Sequence, residues 1–212
     1  MTDRKRDLMR EVAALSWPAI LQGLVTTVIF FVDRVLLGQY SEDTLASMQI
    51  SGPVLWSVFS VLGAFGAGTM AVIGRSVGSG DTSRVHRTLL SVLGLALVVG
   101  TTAGVVGWMS RVGIADLMTG ADASSAAVHD MAVLYMGIVF PAAPLGFMST
   151  VAMVALQASG DTRSPMWISA ICGLSNLVVS WILIFGHLGA PELGIEGGAI
   201  GSLVSLIVQW LL

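Results

Sequence analysis

The sequence predicts an all-α integral membrane protein with six transmembrane helices, and three observations carry that prediction. Hydrophobic residues make up 55% of the 212 and charged residues only 11%, with mean hydropathy +0.86, whereas soluble domains carry about 25% charged residues. Six apolar segments follow one another at 13–38, 49–74, 88–109, 127–157, 166–186 and 195–212, each near the ~20 residues that a helix needs to cross the hydrocarbon core. The connectors between them are short and hold nearly all the charge. The chain therefore divides into a basic tail, 1–12, and a six-helix membrane lobe, 13–212. The single cysteine, Cys172, excludes an internal disulfide and any Cys-rich metal site.

Charge placement sets the expected orientation. Arg4, Lys5, Arg6 and Arg10 in the tail, Arg75, Arg84 and Arg87 after the second segment, and Arg163 after the fourth fall on one side, against Arg34 and Arg111 on the other. Cytoplasmic connectors collect Lys and Arg, so the N-terminus is expected in the cytoplasm of a cell (plasma or inner) membrane. The outer connectors hold acids instead, among them Asp116, Asp122, Glu192 and Glu196. The apolar run after the basic head is too long for a signal-peptide core, so the first span is expected to be retained.

The first segment contains one acid. On a helix, residues 4, 7 or 11 apart share a face, which places Gln22, Thr26 and Asp33 on one polar stripe. Arg34 lies about 100° further round and falls outside that stripe. A carboxylate at bilayer depth costs ~2.5–3.5 kcal/mol or more and persists where it faces a protein or water-lined interior. The alternative is that Asp33, close to Gly38 at the end of the span, lies in the outer headgroup zone. Pro18 is expected to bend this span, and Pro141 and Pro144 to bend the long fourth one, because an interior proline removes a donor and clashes one turn back. Bent helices with polar stripes suit a transporter that rearranges.

In the second span Ser57, Ser60, Ala64, Ala67 and Ala71 recur at spacings of 3 and 4, which predicts a helix-packing face of small residues. Gly100 and Gly104, and Gly194, Gly197, Gly198 and Gly201, add GxxxG spacings. Ser169, Asn176 and Ser180 share a face in the fifth span, and Gly198, Ser202, Ser205 and Gln209 in the sixth. Serines can bond their own helix, but the amide of Asn176 cannot satisfy itself that way, and Asp33 is its expected partner. Two inner turns repeat Ser-Gly-Asp-Thr, at Ser79–Thr82 and Ser159–Thr162, read as glycine closing one helix and Asp or Thr capping the next. The sixth segment stops at Leu212 without a polar flank, which leads to the expectation of a chain truncated from something longer.

Enzyme chemistry finds no foothold. There is no G-x-x-x-x-G-K-[ST] phosphate loop and no H-E-x-x-H pair, the three histidines, His86, His129 and His187, are scattered at segment edges, and no basic-aromatic patch suits nucleic acid. A polar-lined bundle with an intramembrane acid remains, the pattern of ion-coupled transport.

The residues now resemble a known family. Pro18 followed by Asp33-x-x-x-x-Gly38, then Gly160-Asp161-Thr162-Arg163-Ser164-Pro165, Asn176, Ile184-Phe185-Gly186 and the stretch Gly189 to Gly197 are similar in order and spacing to the multidrug and toxic compound extrusion (MATE) transporters. The resemblance implies one six-helix lobe, the N-terminal one, of a twelve-helix protein, with a second lobe absent from this chain. It implies a secondary antiporter exporting cationic or amphipathic compounds in exchange for H+ or Na+, with no other cofactor. By the same resemblance Asp33 matches the main cation or proton site and is the residue that would ligate Na+, Asn176 matches a polar neighbour, and Tyr135 matches a fourth-helix tyrosine of that cluster. Ser180 stands where some relatives carry a second acid, which leaves the coupling ion open. Gln22, Thr26 and Ser202 are expected to add polar lining to the cavity. Two other readings stay open: a lipid-linked saccharide flippase of the same superfamily, whose cavity would carry several basic residues where this chain has none in mid-span, and a non-catalytic six-span assembly subunit.

Overall fold

The computed structural model describes residues 2–120 and 126–212, with side chains described except at 2–8, 11, 14, 15, 62 and 64. The side chains of Arg4, Lys5, Arg6 and Ala64, and the whole of Asp122, lie outside the described residues. Every element among the rest is helical: α1 (Thr2–Tyr40), α2 (Glu42–Gly78), α3 (Thr82–Thr119), α4 (Ala126–Val139), α5 (Ala143–Ala158), α6 (Arg163–Phe185) and α7 (Ile195–Leu211), with single 3-10 turns at Phe140–Ala142 and His187–Gly189. Five stretches are long and apolar enough to cross a bilayer, with α4 and α5 counting as one, and α7 is a shorter apolar helix. The six predicted segments correspond to these helices in order.

Proline acts differently in the two places where bends are expected. The fourth segment breaks at the 3-10 turn Phe140–Ala142, which contains Pro141, and Pro144 lies in the first turn of α5, where its missing donor is tolerated. Pro18 is buried inside α1, and the helix is continuous through it from Thr2 to Tyr40. A single proline deletes one ladder bond, and a 39-residue helix keeps the others.

Three close packings organise the lobe, α3 on α5, α6 on α7 and α6 on α1. Where α3 meets the broken fourth span, Gly100 lies against Pro144 and Phe147, Gly104 against the Phe140 carbonyl, and Gly107 against the Phe140 ring. A side chain at any of the three would collide with the opposing backbone or ring. In the same way Gly197 lies against the backbone of Leu183 and Ile184, and Gly201 against Ser180. These contacts bring the polar faces of α6 and α7 within reach of each other, as small-residue interfaces in membranes do.

The small-residue stripe of α2 is a correction. Ser57, Ser60, Ala67 and Ala71 are exposed, and the two serines bond carbonyls of their own helix. The buried face of α2 runs instead through Thr44, Ser47, Ser51, Leu55, Thr69, Ile73 and Ser76. Its hydroxyls are satisfied within the helix, Ser47 on Thr44, Ser51 on Ser47, Thr69 on Phe65 and Ser76 on Val72, so polarity did not mark the packing face.

The inner turns follow their capping chemistry. Gly80 and Gly160 take φ of 71° and 93°, open to glycine at no steric cost. The Asp81 carboxylate accepts from the Arg84 backbone N–H at 2.9 Å, and Asp161 Oδ1 accepts from Arg163 and Ser164 at 3.1 and 2.9 Å. The Ser164 bonds, side chain and backbone, hold the Asp161 carboxyl below its ordinary range. At the opposite end of the lobe α1 ends at Tyr40 and Ser41 caps α2, its hydroxyl accepting from the Thr44 N–H.

Candidate functional site

The polar stripe of α1 meets the polar stripe of α6, and the two run parallel in constant register. At the end of the seam nearer the α1 N-terminus, termed the inner end, Gln22 Nε2 donates to Ser169 Oγ at 3.0 Å, and Gln157 Nε2 of α5 donates to Gln22 Oε1 at 3.0 Å. Near the outer end Asp33 comes opposite Ser180, at the same sequence separation, and the Ser180 hydroxyl acts on the Asp33 carboxyl. Between these ends Ile29 packs onto Gly173, which lets the helices approach.

The outer end opens into a cavity of about 340 Å3 whose lining includes Phe30, Asp33, Arg34, Trp56, Tyr135 and Ser202. It is built by α1, α2, α4 and α7. Asp33 is half-buried, Tyr135 and Asn176 are buried, and Ser180 is fully buried. Asn176 Nδ2 donates to Ser202 Oγ at 3.4 Å, and Ser202 in turn bonds the Gly198 carbonyl. Tyr135 interacts with Ser202 and lies in the field of both Asp33 and Arg34.

This cluster leaves polar atoms without partners. Asp33 Oδ1, Arg34 Nε, Asn176 Oδ1 and Ser180 Oγ are all shielded from solvent and make no standard hydrogen bond, and outside this group only Ser149 Oγ shares that state among the described residues. Buried polar atoms are nearly always paired, and an unpaired one costs about 1–3 kcal/mol. Three of these atoms are oxygens, grouped at one end of the helix seam. One carboxylate with neutral hydroxyl and amide oxygens is a donor set for a proton or a hard monovalent cation. Among the described residues no group of three or more His, Cys, Asp or Glu is placed to hold a metal ion, and Asp33 is the one carboxylate that lines this cavity.

The structure redistributes the other predicted site residues. Asn176 bonds Ser202 and not Asp33, because the glycine contacts of α7 seat Ser202 directly against α6. Gln22 lies at the closed inner end of the seam and Thr26 is exposed, its hydroxyl on the Gln22 carbonyl, so neither lines the cavity that Asp33 and Ser202 share. Pro141 and Pro144 border a separate, wholly lateral groove with Thr101, Val105, Trp108 and Met109, which holds no ionisable side chain. The residue that periodicity missed is Arg34. Its guanidinium stacks over the Phe30 ring at 4.2 Å and turns toward Gly52 of α2, where a Cβ would stand 2.9 Å from Nη2. The available signal was the spacing of Phe30, Arg34 and the core residue Leu37 along one face. At the outer rim His129 bridges Asp116 and Asp130 at 2.9 and 3.0 Å, joining α3 to α4.

Comparison with known proteins agrees with this architecture. Over 95% of the chain and 43% of the relative, 26% of residues are identical to the probable multidrug resistance protein NorM of Thermotoga maritima. The FAD transporter of Shewanella oneidensis is 29% identical over 94% of the chain and 43% of its own length. The multidrug resistance protein PmpM of Pseudomonas aeruginosa is 29% identical, over 92% and 40%. The chain thus spans less than half the length of these curated relatives. Among solved structures, a MOP superfamily transporter from Pyrococcus furiosus matches with a TM-score of 0.85 at 21% identity, over 95% of this chain and 43% of that one, a likeness of fold. The MatE family model matches residues 18–182, and the chain belongs to the MatE family of transporters.

Proposed function

We propose that the chain is the ion-coupled lobe of a secondary antiporter that exports cationic or amphipathic compounds in exchange for H+ or Na+, with Asp33 as the coupling carboxylate. In this reading the lobe sits in the cell membrane with its N-terminus in the cytoplasm, which the Lys and Arg distribution of the connectors supports. The observation that carries the mechanism is the group of shielded, unpaired oxygens, Asp33 Oδ1, Asn176 Oδ1 and Ser180 Oγ, at the open end of the α1–α6 seam.

A carboxylate with an unpaired oxygen in low dielectric is costly, and a bound proton or cation lowers that cost. Loading therefore draws α1 and α6 together at their outer ends, and unloading relaxes them. Asn176, tethered to Ser202, passes that movement to α7. Tyr135 closes the site from the α4 side. A ligand can shift such an equilibrium only by its differential affinity for the two arrangements, and a site with unmet acceptors in one of them supplies that difference.

The test is Asp33→Asn in the full-length natural protein, assayed for ethidium transport in everted membrane vesicles under imposed H+ or Na+ gradients. Gradient-driven transport is expected to disappear while membrane expression stays at wild-type level. Wild-type transport by the Asp33→Asn protein under both gradients would overturn the assignment.

A further inference from the structure

Arg34 has no role in the scheme above, yet it is placed with more constraint than a surface arginine. It follows Asp33 directly, so the two side chains leave α1 about 100° apart: Asp33 faces α6, and Arg34 faces α2. Among the described residues no ion pair joins Arg34 to any acid. An arginine near a helix end ordinarily extends to the headgroups, where water satisfies it. Here the guanidinium lies over Phe30 in the cavity wall, and its Nε is shielded with no acceptor. The opposing α2 wall carries glycine, Gly52, at the point of contact, and any side chain there would meet Nη2. The guanidinium thus lies in the lining of a cavity that it shares with the Asp33 carboxylate on its α6 side, on which its charge acts, and the other walls are mostly apolar and aromatic, with Phe30, Trp56, Phe59 and Tyr135 among them.

A planar guanidinium fork matches an oxyanion in two-point geometry, carboxylate or phosphate. Aromatic walls around one fixed polar group are the usual make-up of a small-molecule site. We propose that Arg34, held against Gly52, is the anchor for the carboxylate or phosphate of an aromatic, amphipathic substrate whose ring system lies against Trp56 and Phe30. The inference rests on the transport function proposed above and narrows its substrate class: the lobe carries its own cationic group in the cavity and takes substrates with an anionic end.

The experiment uses the full-length natural protein in everted vesicles, with four fluorescent probes: riboflavin 5′-phosphate, 6-carboxyfluorescein, uncharged riboflavin and cationic ethidium. Binding of each probe to the detergent-solubilised protein is read in parallel, so a preparation with no transport still decides the matter. Wild type is expected to prefer the two anions to riboflavin. Arg34→Gln should lower the ratio of anion to ethidium, in uptake or binding, at least tenfold. Arg34→Lys should restore at least a third of that ratio, and Gly52→Ala, which keeps the charge and shifts only the Nη2 end of the fork, should lower it less than Arg34→Gln does. A phosphate-only or carboxylate-only preference identifies which oxyanion is used. Equal loss of all four probes in Arg34→Gln, an anion ratio within twofold of wild type, or a wild type that binds ethidium but neither anion would overturn the inference. Failure here with Asp33→Asn still inactive leaves the coupling scheme standing, whereas active Asp33→Asn with a lost anion ratio in Arg34→Gln does the reverse.

Discussion

The two ends of the α1–α6 seam are built from similar residues and end in opposite states. At the inner end Gln22, Ser169 and Gln157 form a closed chain of hydrogen bonds across three helices. At the outer end Asp33, Ser180 and Asn176 occupy the next turns of the same two stripes, and each retains a shielded atom without a partner. The difference turns on one residue, an amide at the inner end and a carboxylate at the outer. An amide supplies both donors and acceptors and can close a network with other neutral groups. A carboxylate only accepts, and beside Asp33 the Asn176 amide is held by Ser202 of α7. A closed network contributes rigidity, and an open one supplies a place for a ligand. The inner end is therefore built as a clasp, and the outer end is the one proposed above to act as a switch.

That contrast can be broken by substitution. The largest effect belongs to Asp33→Asn, which should remove gradient-driven transport and yet leave the thermal midpoint of the detergent-solubilised protein equal or higher, because a neutral amide replaces a buried charge. A lowered midpoint in Asp33→Asn would mean that the outer end is a clasp too. Next comes Gly201→Val. Its side chain would enter the space of Ser180 and push α7 off α6, at a cost of about 1–3 kcal/mol for overpacking. Thermal unfolding followed by fluorescence-detected size exclusion should show a clear drop, and Asn176 should lose Ser202. Gln22→Leu inverts the pattern of Asp33→Asn. It removes two interhelical bonds, each worth ~0.6–2 kcal/mol in a membrane bundle, so stability should fall while ethidium transport per folded molecule stays within about threefold, the lost bonds lying outside the cavity. Smallest is Thr26→Val, whose hydroxyl bonds only its own helix; a midpoint change equivalent to less than ~0.5 kcal/mol is expected, as at exposed sites generally.

Much of the lobe was legible because it depends on local chemistry. Hydropathy placed the crossings, and the proline pair at 141 and 144 placed the break in the fourth span. Glycine followed by aspartate placed the turns at 80–81 and 160–161, where a positive φ and a free carboxylate suffice. Periodicity put Gln22 and Asp33 on one face of α1, and Ser169 and Ser180 on one face of α6. It failed where two faces had to be matched. The serines and alanines of α2 form as regular a stripe as any, yet they are exposed, while a second stripe of Thr and Ser on the same helix is buried. Both stripes have the right spacing, and only the neighbours available to each decide between them.

The sequence by itself determined that the chain crosses a bilayer repeatedly, which of its connectors carry the basic residues, and that one acid lies on a polar stripe of the first span. Those are properties of single helices in a hydrophobic solvent, and they follow from transfer energies and a 3.6-residue repeat. Only the tertiary structure decided that Asn176 turns to Ser202 instead of Asp33, that Gln22 belongs to a clasp and not to the cavity, and that Arg34 is folded inward against Gly52. Each of these depends on the rotation of one helix about its axis relative to another. That rotation is fixed by close contacts such as Gly201 on Ser180 and Gly173 on Ile29, made between residues far apart in the chain.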